Sequence, residues 1–189
     1  MRDKIKAIIK ESIKIKEGLY SGQIENIEKA ATIIIKALKD GGKLLVFGNG
    51  GSAADSQHIV AELVGRFKNE RKALAAIALT TNTSTITALA NDYGYTIVFA
   101  RQIEALGKSG DVAFGISTSG NSKNIIEAIR KANALGLKTI GLIGGDGGQL
   151  KKECEVSIIV NSKDTPRIQE SHGTIGHIIC ELIEEGQFK

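Results

Sequence analysis

The stretch KLLVFGNGGSAADSQHIVAEL, residues 43–63, decides the fold of this chain. It begins with a short apolar run, turns at a cluster of glycines, and continues with the apolar spacing of an amphipathic helix. Four more short apolar runs lie at residues 75–79, 111–116, 138–143 and 156–160. Helical patterns follow most of these runs, at residues 52–66, 83–107, 122–135 and 165–185. Alternating strands and helices predict βαβ units and a parallel sheet of five strands.

Residues 1–40 carry helical apolar spacing that is interrupted at Ser21 and Gly22, so two helices are predicted before the first strand. The chain has 189 residues, a single proline and no linker-like segment, which suits one domain over residues 1–189. We therefore predict an α/β fold. It is a three-layer sandwich in which helices flank the five-stranded parallel sheet, with an N-terminal helical extension.

Composition excludes several classes of protein. The net charge is only +4 and aromatic residues make up 4%, so neither a basic stripe nor a base-stacking platform is present. No apolar run approaches the roughly 18–20 residues of a membrane span, and the N-terminus lacks a signal peptide. Cys154 and Cys180 lie far apart and indicate no disulfide framework. We expect a cytoplasmic protein that binds neither nucleic acid nor membrane.

Two loops at predicted strand ends have the composition of anion sites. The segment STSGNS, residues 117–122, places four hydroxyls and a glycine between a buried strand and a helix. A single capping hydroxyl would suffice for the helix, so the surplus predicts a phosphate site at the helix N-terminus. The segment GNGGS, residues 48–52, resembles a dinucleotide loop, but no acidic residue closes the next strand to bind a ribose. We expect it to approach a small polar ligand instead.

Two predicted helices carry groups suited to metal binding or acid–base chemistry. His58 and Glu62 share a helix face, and Gln169 and His177 lie about 80° apart around the last helix. His172 is predicted to face elsewhere. These groups could bind a metal or transfer protons, but His58 and Glu62 could equally form a surface pair, because the sequence does not show that the two helices meet. Two helix-interior glycines between Gln169 and His177 predict close approach of a backbone or a ligand.

At these residues the chain resembles the phosphoheptose isomerases, which convert sedoheptulose 7-phosphate, within the sugar-isomerase (SIS) domain superfamily. The resemblance covers nearly the whole chain. It rests on FGNGGSAADSQHIVAELVGRF (47–67), LTTNTSTITALANDYGY (79–95), GISTSGNSKNIIEAI (115–129) and TPRIQESHGTIGHIICELIE (165–184). Together these stretches are far more specific than any one motif.

The resemblance implies an enzyme that converts sedoheptulose 7-phosphate into D-glycero-D-manno-heptose 7-phosphate, early in bacterial ADP- or GDP-heptose biosynthesis for lipopolysaccharide or capsule. It implies the acid–base pair Glu62 and His177 and one zinc ion per subunit, with the ligands His58, Glu62, Gln169 and His177. The implied substrate contacts are Asn49, Gly50, Gly51, Ser52, Asn91, Asp92, Ser117, Thr118, Ser119, Ser122 and Gln169. It also implies a homotetramer whose sites are shared between subunits, with residues 1–40 used in packing.

The main alternative is a non-catalytic regulator that binds phosphosugars and docks onto a replication-initiator protein. Such relatives typically lack the full catalytic set, so the presence of His58, Glu62, Gln169 and His177 favours an enzyme. An isomerase for another phosphosugar is a second alternative. Neither the residue pattern nor the resemblance assigns a role to His172 or to the loop Gly144–Gly148.

Overall fold

All five predicted strands form one parallel sheet in the computed structural model, which describes residues 1–188. Their order across the sheet is β2-β1-β3-β4-β5, and each neighbouring pair runs parallel. The predicted α/β fold with five parallel strands is thereby confirmed. The strands are β1 (Leu44–Gly48), β2 (Ala76–Ala78), β3 (Val112–Ser117), β4 (Lys138–Gly144) and β5 (Val156–Val160).

Seven α-helices surround this sheet in the described residues. Two of them precede the first strand, as the sequence predicts, and they are separated at Gln23. The helices are α1 (Arg2–Gly22), α2 (Ile24–Lys39), α3 (Gly51–Val64), α4 (Thr83–Tyr93), α5 (Val98–Leu106), α6 (Lys123–Ala134) and α7 (Thr165–Phe188).

The single helix predicted over residues 83–107 is wrong. Gly94 adopts φ +90° and ends α4, a short 3₁₀ turn follows over Tyr95–Ile97, and α5 then begins at Val98. Glycine accepts this positive φ without the steric cost that other residues would incur. Apolar spacing alone could not locate the break, because it continues on both sides of the glycine.

The sheet separates two apolar cores and so forms the middle layer of a three-layer sandwich. On one face, α1, α2, α3 and α7 pack over residues such as Phe114 and Ile158. On the other face, α5 and α6 pack over residues such as Phe47 and Ala113. Each fully buried large side chain stabilises the fold by roughly 1.5–3 kcal/mol relative to exposure.

The N-terminal part of α1 carries an apolar stripe that the described chain leaves uncovered. Ile5, Ile8, Ile9 and Ile13 are all exposed, and Leu19 is the only buried residue of the helix. Among residues 1–188, no helix combines the length and the apolar character needed to cross a membrane. Cys154 and Cys180 are free thiols, which agrees with the absence of a predicted disulfide framework.

The strand order places a topological switch point between β1 and β3. The chain leaves β1 toward β2 at one edge and leaves β3 toward β4 at the other, while β1 and β3 are paired side by side. Doubly wound sheets bind their ligands at the carboxyl ends of the strands beside such a point. Both anion loops predicted from the sequence, at residues 48–52 and 117–122, follow these two strands.

Candidate active site

Helices α3 and α7 lie side by side and run in the same direction. Near their N-termini, the amide of Gln169 lies against the backbone of Gly51, so closely that a methyl group at Gly51 would stand 2.1 Å from Nε2. Two turns further on, a methyl group at Gly176 would stand 3.1 Å from the side chain of Ile59. The two helices therefore meet, which the sequence could not establish.

The contact between α3 and α7 brings His58, Glu62 and His177 together. The two Nε2 atoms of His58 and His177 are 2.8 Å apart, and Nε2 of His58 lies 3.4 Å from Oε1 of Glu62. One ligand atom from each of the three residues falls within 4.8 Å of the others. The side chains remain partly open, with 52% exposure for His58 and 22% for Glu62. Solvent or a substrate can thus reach them.

Asp55 is a further carboxylate on this face of α3 that the sequence analysis did not select. Burial raises its pKa above the ordinary value, and the nearby His58 opposes that shift. Its Oδ2 atom is buried without a hydrogen-bond partner. Its spacing of three residues from His58 and seven from Glu62, on the same helix face, was the one sequence signal that could have indicated it.

Gln169 does not join the cluster of His58, Glu62 and His177 within the described chain. It lies at the level of Gly51, eight residues before His177 in the same helix, which corresponds to about 12 Å along the axis. To reach the same ion from this chain, its side chain would have to leave Gly51 and span two helical turns. Its assignment as a metal ligand stays a prediction.

The two glycines within α7, Gly173 and Gly176, differ in what lies next to them. Gly176 has a close neighbour, but it is the side chain of Ile59 from α3 and not the backbone or ligand that was predicted. Gly173 has open space where a Cβ would be, so no residue of the described chain approaches it, and close approach of a ligand there stays a prediction. His172 points away from the cluster into the core, as predicted, and is completely buried.

The loop of residues 117–122 adopts the form expected of an anion site at the start of α6. The Ser117 hydroxyl accepts a hydrogen bond from the backbone N–H of Gly120 at 3.1 Å and lies 3.2 Å from the Ser122 hydroxyl. Ser122 is the N-cap residue of α6, yet its side chain makes no capping hydrogen bond. Donors at the helix N-terminus therefore remain available for an anion, while Thr118 is half-buried and Ser119 is exposed beside them.

The loop Gly144–Gly148, which had no assigned role, packs with the two residues after it against the 117–122 loop. The N–H of Leu150 donates to the carbonyl of Gly120 at 2.9 Å, and the N–H of Gln149 donates to the Asn121 side chain at 3.0 Å. Gly120 has φ +66°, and a methyl group there would stand 2.3 Å from the carbonyl oxygen of Gly147. The glycines of both loops thus permit a backbone-to-backbone contact.

The glycine loop after β1 is held by a network of amides. The side chains of Asn49 and Asn124 exchange two hydrogen bonds, at 2.9 and 2.8 Å, which joins this loop to α6. The Tyr95 hydroxyl donates to the Asn49 side chain at 3.3 Å. Asn124 and Tyr95 were not selected from the sequence, because isolated polar residues there carry no pattern.

The remaining predicted substrate contacts differ in their exposure to solvent. Gly50, with φ +56°, is exposed at the tip of the glycine loop. Ser52 is buried, and its Cβ packs beneath Gly48 instead of facing solvent. Asn91 and Asp92 are exposed at the end of α4, where the Asn91 amide donates to Asp92 at 2.9 Å. They lie close in sequence to Tyr95, which contacts the glycine loop.

Comparison with known proteins agrees with this arrangement. The SIS domain model matches residues 8–144. Phosphoheptose isomerase of Clostridium acetobutylicum is 55% identical over 190 residues, covering 100% of this chain and 97% of the relative. That of Aquifex aeolicus is 55% identical over 185 residues, covering 98% and 97%.

A solved structure of phosphoheptose isomerase from Neisseria gonorrhoeae superposes with a TM-score of 0.93 at 42% identity, covering 97% of this chain and 98% of that one. A second, from Francisella tularensis, has the same TM-score of 0.93 at 39% identity and covers 97% of each chain. With the glycine loop, the 117–122 loop and the cluster of His58, Glu62 and His177 all in place, the chain belongs to the SIS domain family and, within it, to the phosphoheptose isomerases.

Proposed function

We propose that this protein isomerises sedoheptulose 7-phosphate to D-glycero-D-manno-heptose 7-phosphate. The observation that carries the proposal is the cluster of His58, Glu62 and His177, in a chain 55% identical over its whole length to a phosphoheptose isomerase. Imidazoles and a carboxylate for proton transfer, together with a separate phosphate loop, suit an aldose–ketose isomerase of a phosphorylated sugar. Membership of the family therefore agrees with the chemistry that the site can perform.

The cluster also fits a zinc ion. Two imidazole nitrogens and one carboxylate oxygen within 4.8 Å form the kind of three-residue donor set that catalytic zinc sites use, with a further position open to water or substrate. His58, Glu62 and His177 would hold the ion, one per subunit. A bound zinc would act as a Lewis acid that stabilises negative charge on the substrate oxygens.

Isomerisation of a ketose to an aldose moves a proton from C1 to C2 through an enediol. Glu62 removes the proton from C1 and returns it to C2, because a carboxylate can act on both neighbouring carbons from one side. His177 delivers a proton to the C2 oxygen and takes one from the C1 hydroxyl, through a ring nitrogen that does not hold the ion. Such acid–base help contributes roughly 10²–10⁴-fold to the rate.

The substrate phosphate binds in the 117–122 loop, remote from the carbons that react. The open N-terminus of α6 and the hydroxyls of Thr118 and Ser119 provide donors there. Gly50 and Asn49 of the glycine loop contact the polar sugar chain from the neighbouring strand. Binding energy from this distant phosphate orients the reacting end at the acid–base pair.

We propose that the protein forms a homotetramer in the cytoplasm, and the exposed stripe of α1 supports packing between subunits. Ile5, Ile8, Ile9 and Ile13 would lose their contact with water if two α1 helices packed together, each side chain contributing at most about 1.5–3 kcal/mol. A symmetric assembly pairs the same patch on each subunit. Gln169 and the last helix would then help to form sites at subunit interfaces.

The test is turnover of sedoheptulose 7-phosphate in D₂O by apoprotein with and without added zinc, following deuterium at C2 of the product. We expect zinc-dependent formation of the heptose phosphate with partial deuterium incorporation. Absence of turnover with retained sugar-phosphate binding would instead support the non-catalytic regulator. Absence of both would indicate a different sugar.

A further inference from the structure

The loop between α3 and β2 is attached to α7 through one buried carboxylate. Oε1 and Oε2 of Glu184 accept hydrogen bonds from the backbone N–H groups of Phe67, Lys68 and Asn69, at 3.2, 3.1 and 2.8 Å. The Asn69 side chain adds another at 2.7 Å. Burial by itself raises the pKa of Glu184, but these hydrogen bonds outweigh it and lower the pKa to about 2. The carboxylate is therefore ionised throughout the physiological range.

Arg71 neutralises this carboxylate and also closes the C-terminal end of α3. Its Nε atom lies 3.2 Å from Oε2 of Glu184, and both side chains are only 2% exposed. Its Nη1 atom donates to the carbonyl of Leu63 at 2.7 Å, and its Nη2 atom donates to the carbonyl of Glu62 at 2.6 Å. The last four carbonyls of a helix lack intrahelical hydrogen-bond donors. A cation that donates to them stabilises the C-terminal turn of the helix.

Both members of the proposed acid–base pair are connected to this ion pair. Arg71 holds the backbone of Glu62, and Glu184 holds the backbone of Phe67, whose ring centroid lies 5.5 Å from that of His177. Glu184 also shares helix α7 with His177, two turns further along. A change in either charge would therefore move Glu62 and the ring that packs on His177 at the same time.

We propose that Arg71 and Glu184 are positioning residues that set the geometry of Glu62 and His177 for catalysis and metal binding. The proposal rests on the proposed isomerase function for its kinetic part. Positioning matters at this scale, because a displacement of about 1 Å from a mutation remote from the chemistry can cost 10²-fold in rate. Residues that orient the ligands of a metal typically affect metal affinity or activity by about 10–100-fold.

The experiment compares Arg71→Lys and Glu184→Gln with the wild type. The matched control is Glu181→Gln, which breaks the exposed ion pair to Lys68 (2.5 Å) between the same loop and the same helix. For each purified protein, kcat and KM for sugar phosphate, zinc affinity by competition with a chromophoric chelator, and thermal unfolding are measured. We expect about 10–100-fold losses in kcat and zinc affinity for the two variants, with KM within about twofold and the control unchanged.

A double variant, Arg71→Met with Glu184→Gln, separates positioning from stability. It leaves no unpaired buried charge and keeps an acceptor for the loop amides, so it should unfold at a higher temperature than Glu184→Gln alone. Its kcat should stay low, because the carbonyl of Glu62 has lost its donor. Recovery of kcat together with stability would overturn the proposal, as would normal kcat and zinc affinity in folded single variants.

The failure of this proposal is distinguishable from failure of the proposed function. An inactive wild type would contradict the isomerase function, yet a selective loss of zinc affinity in Arg71→Lys and Glu184→Gln would still support positioning. If Glu184→Gln does not fold, Arg71→Lys decides the question, because it retains the positive charge beside Glu184 and replaces the guanidinium donors to Glu62 and Leu63 with a single ammonium group. Normal zinc affinity and kcat in that variant would then refute it.

Discussion

Replacing Gly120 with alanine should weaken phosphate binding by disturbing the support of the 117–122 loop. Alanine at φ +66° costs about 1–2 kcal/mol in backbone strain. The new methyl group would also stand 2.3 Å from the Gly147 carbonyl oxygen and 2.5 Å from its carbon, a backbone clash that typically adds about 1–3 kcal/mol. The sum is about 2–5 kcal/mol, which the protein can relieve only by separating the two loops.

The assay measures denaturant unfolding together with KM and kcat for sedoheptulose 7-phosphate. The control is Gly41→Ala, since Gly41 has φ +81° but open space around the added methyl group, and it precedes β1 at the amino ends of the strands, whereas Gly120 follows β3 at the carboxyl ends. We expect Gly41→Ala to lose only about 1–2 kcal/mol of stability with normal KM, and Gly120→Ala to lose more and to show a raised KM. Equal losses of stability and equal KM values in the two variants would refute the reasoning.

Three further perturbations test separate parts of the molecule. Glu62→Gln should lower turnover by roughly 10²–10⁴-fold while calorimetry still detects sugar-phosphate binding; near-normal turnover would rule out Glu62 as the base. Burial lowers the pKa of His172 from 6.5 to about 4, so the unfolded state binds the extra proton as pH falls through this window. The contribution of His172 to wild-type stability should therefore fall by roughly 3 kcal/mol between pH 6.5 and 4, and His172→Leu should remove that part of the pH dependence in urea titrations. Ile9→Glu with Ile13→Glu should reduce the mass measured by light scattering, whereas an unchanged assembly would show that α1 does not mediate packing.

The sheet could be predicted from the sequence because strands buried on both faces read as continuous apolar runs. Residues 43–48 and 138–143 are such runs, and both form strands with boundaries shifted by a single residue. The break at Gly94 could not be predicted, because a glycine within a helical pattern is compatible with either a continued helix or a turn. Only its positive φ in the folded chain distinguishes the two.

The candidate site was predictable where function depends on local sequence and not where it depends on contact between distant segments. The 117–122 loop carries its hydroxyls, its glycine and its helix start within six residues. Asn124 and Tyr95, in contrast, reach Asn49 across gaps of 75 and 46 residues. The contact between Gly147 and Gly120 also joins segments that are distant along the chain, so no periodicity of the sequence predicts it.

Gln169 shows why sharing a helix face is not the same as sharing a site. Spacing along α7 correctly places Gln169 and His177 on one side of the helix. It does not show which residues of a neighbouring helix lie opposite each of them. Because α3 and α7 run parallel, they pair level by level, with Gly51 opposite Gln169 and His58 opposite His177. Eight residues of separation then become about 12 Å along the helix axis. If Gln169 binds a metal in this cluster, either its side chain has to leave Gly51 or it has to reach the cluster of another subunit.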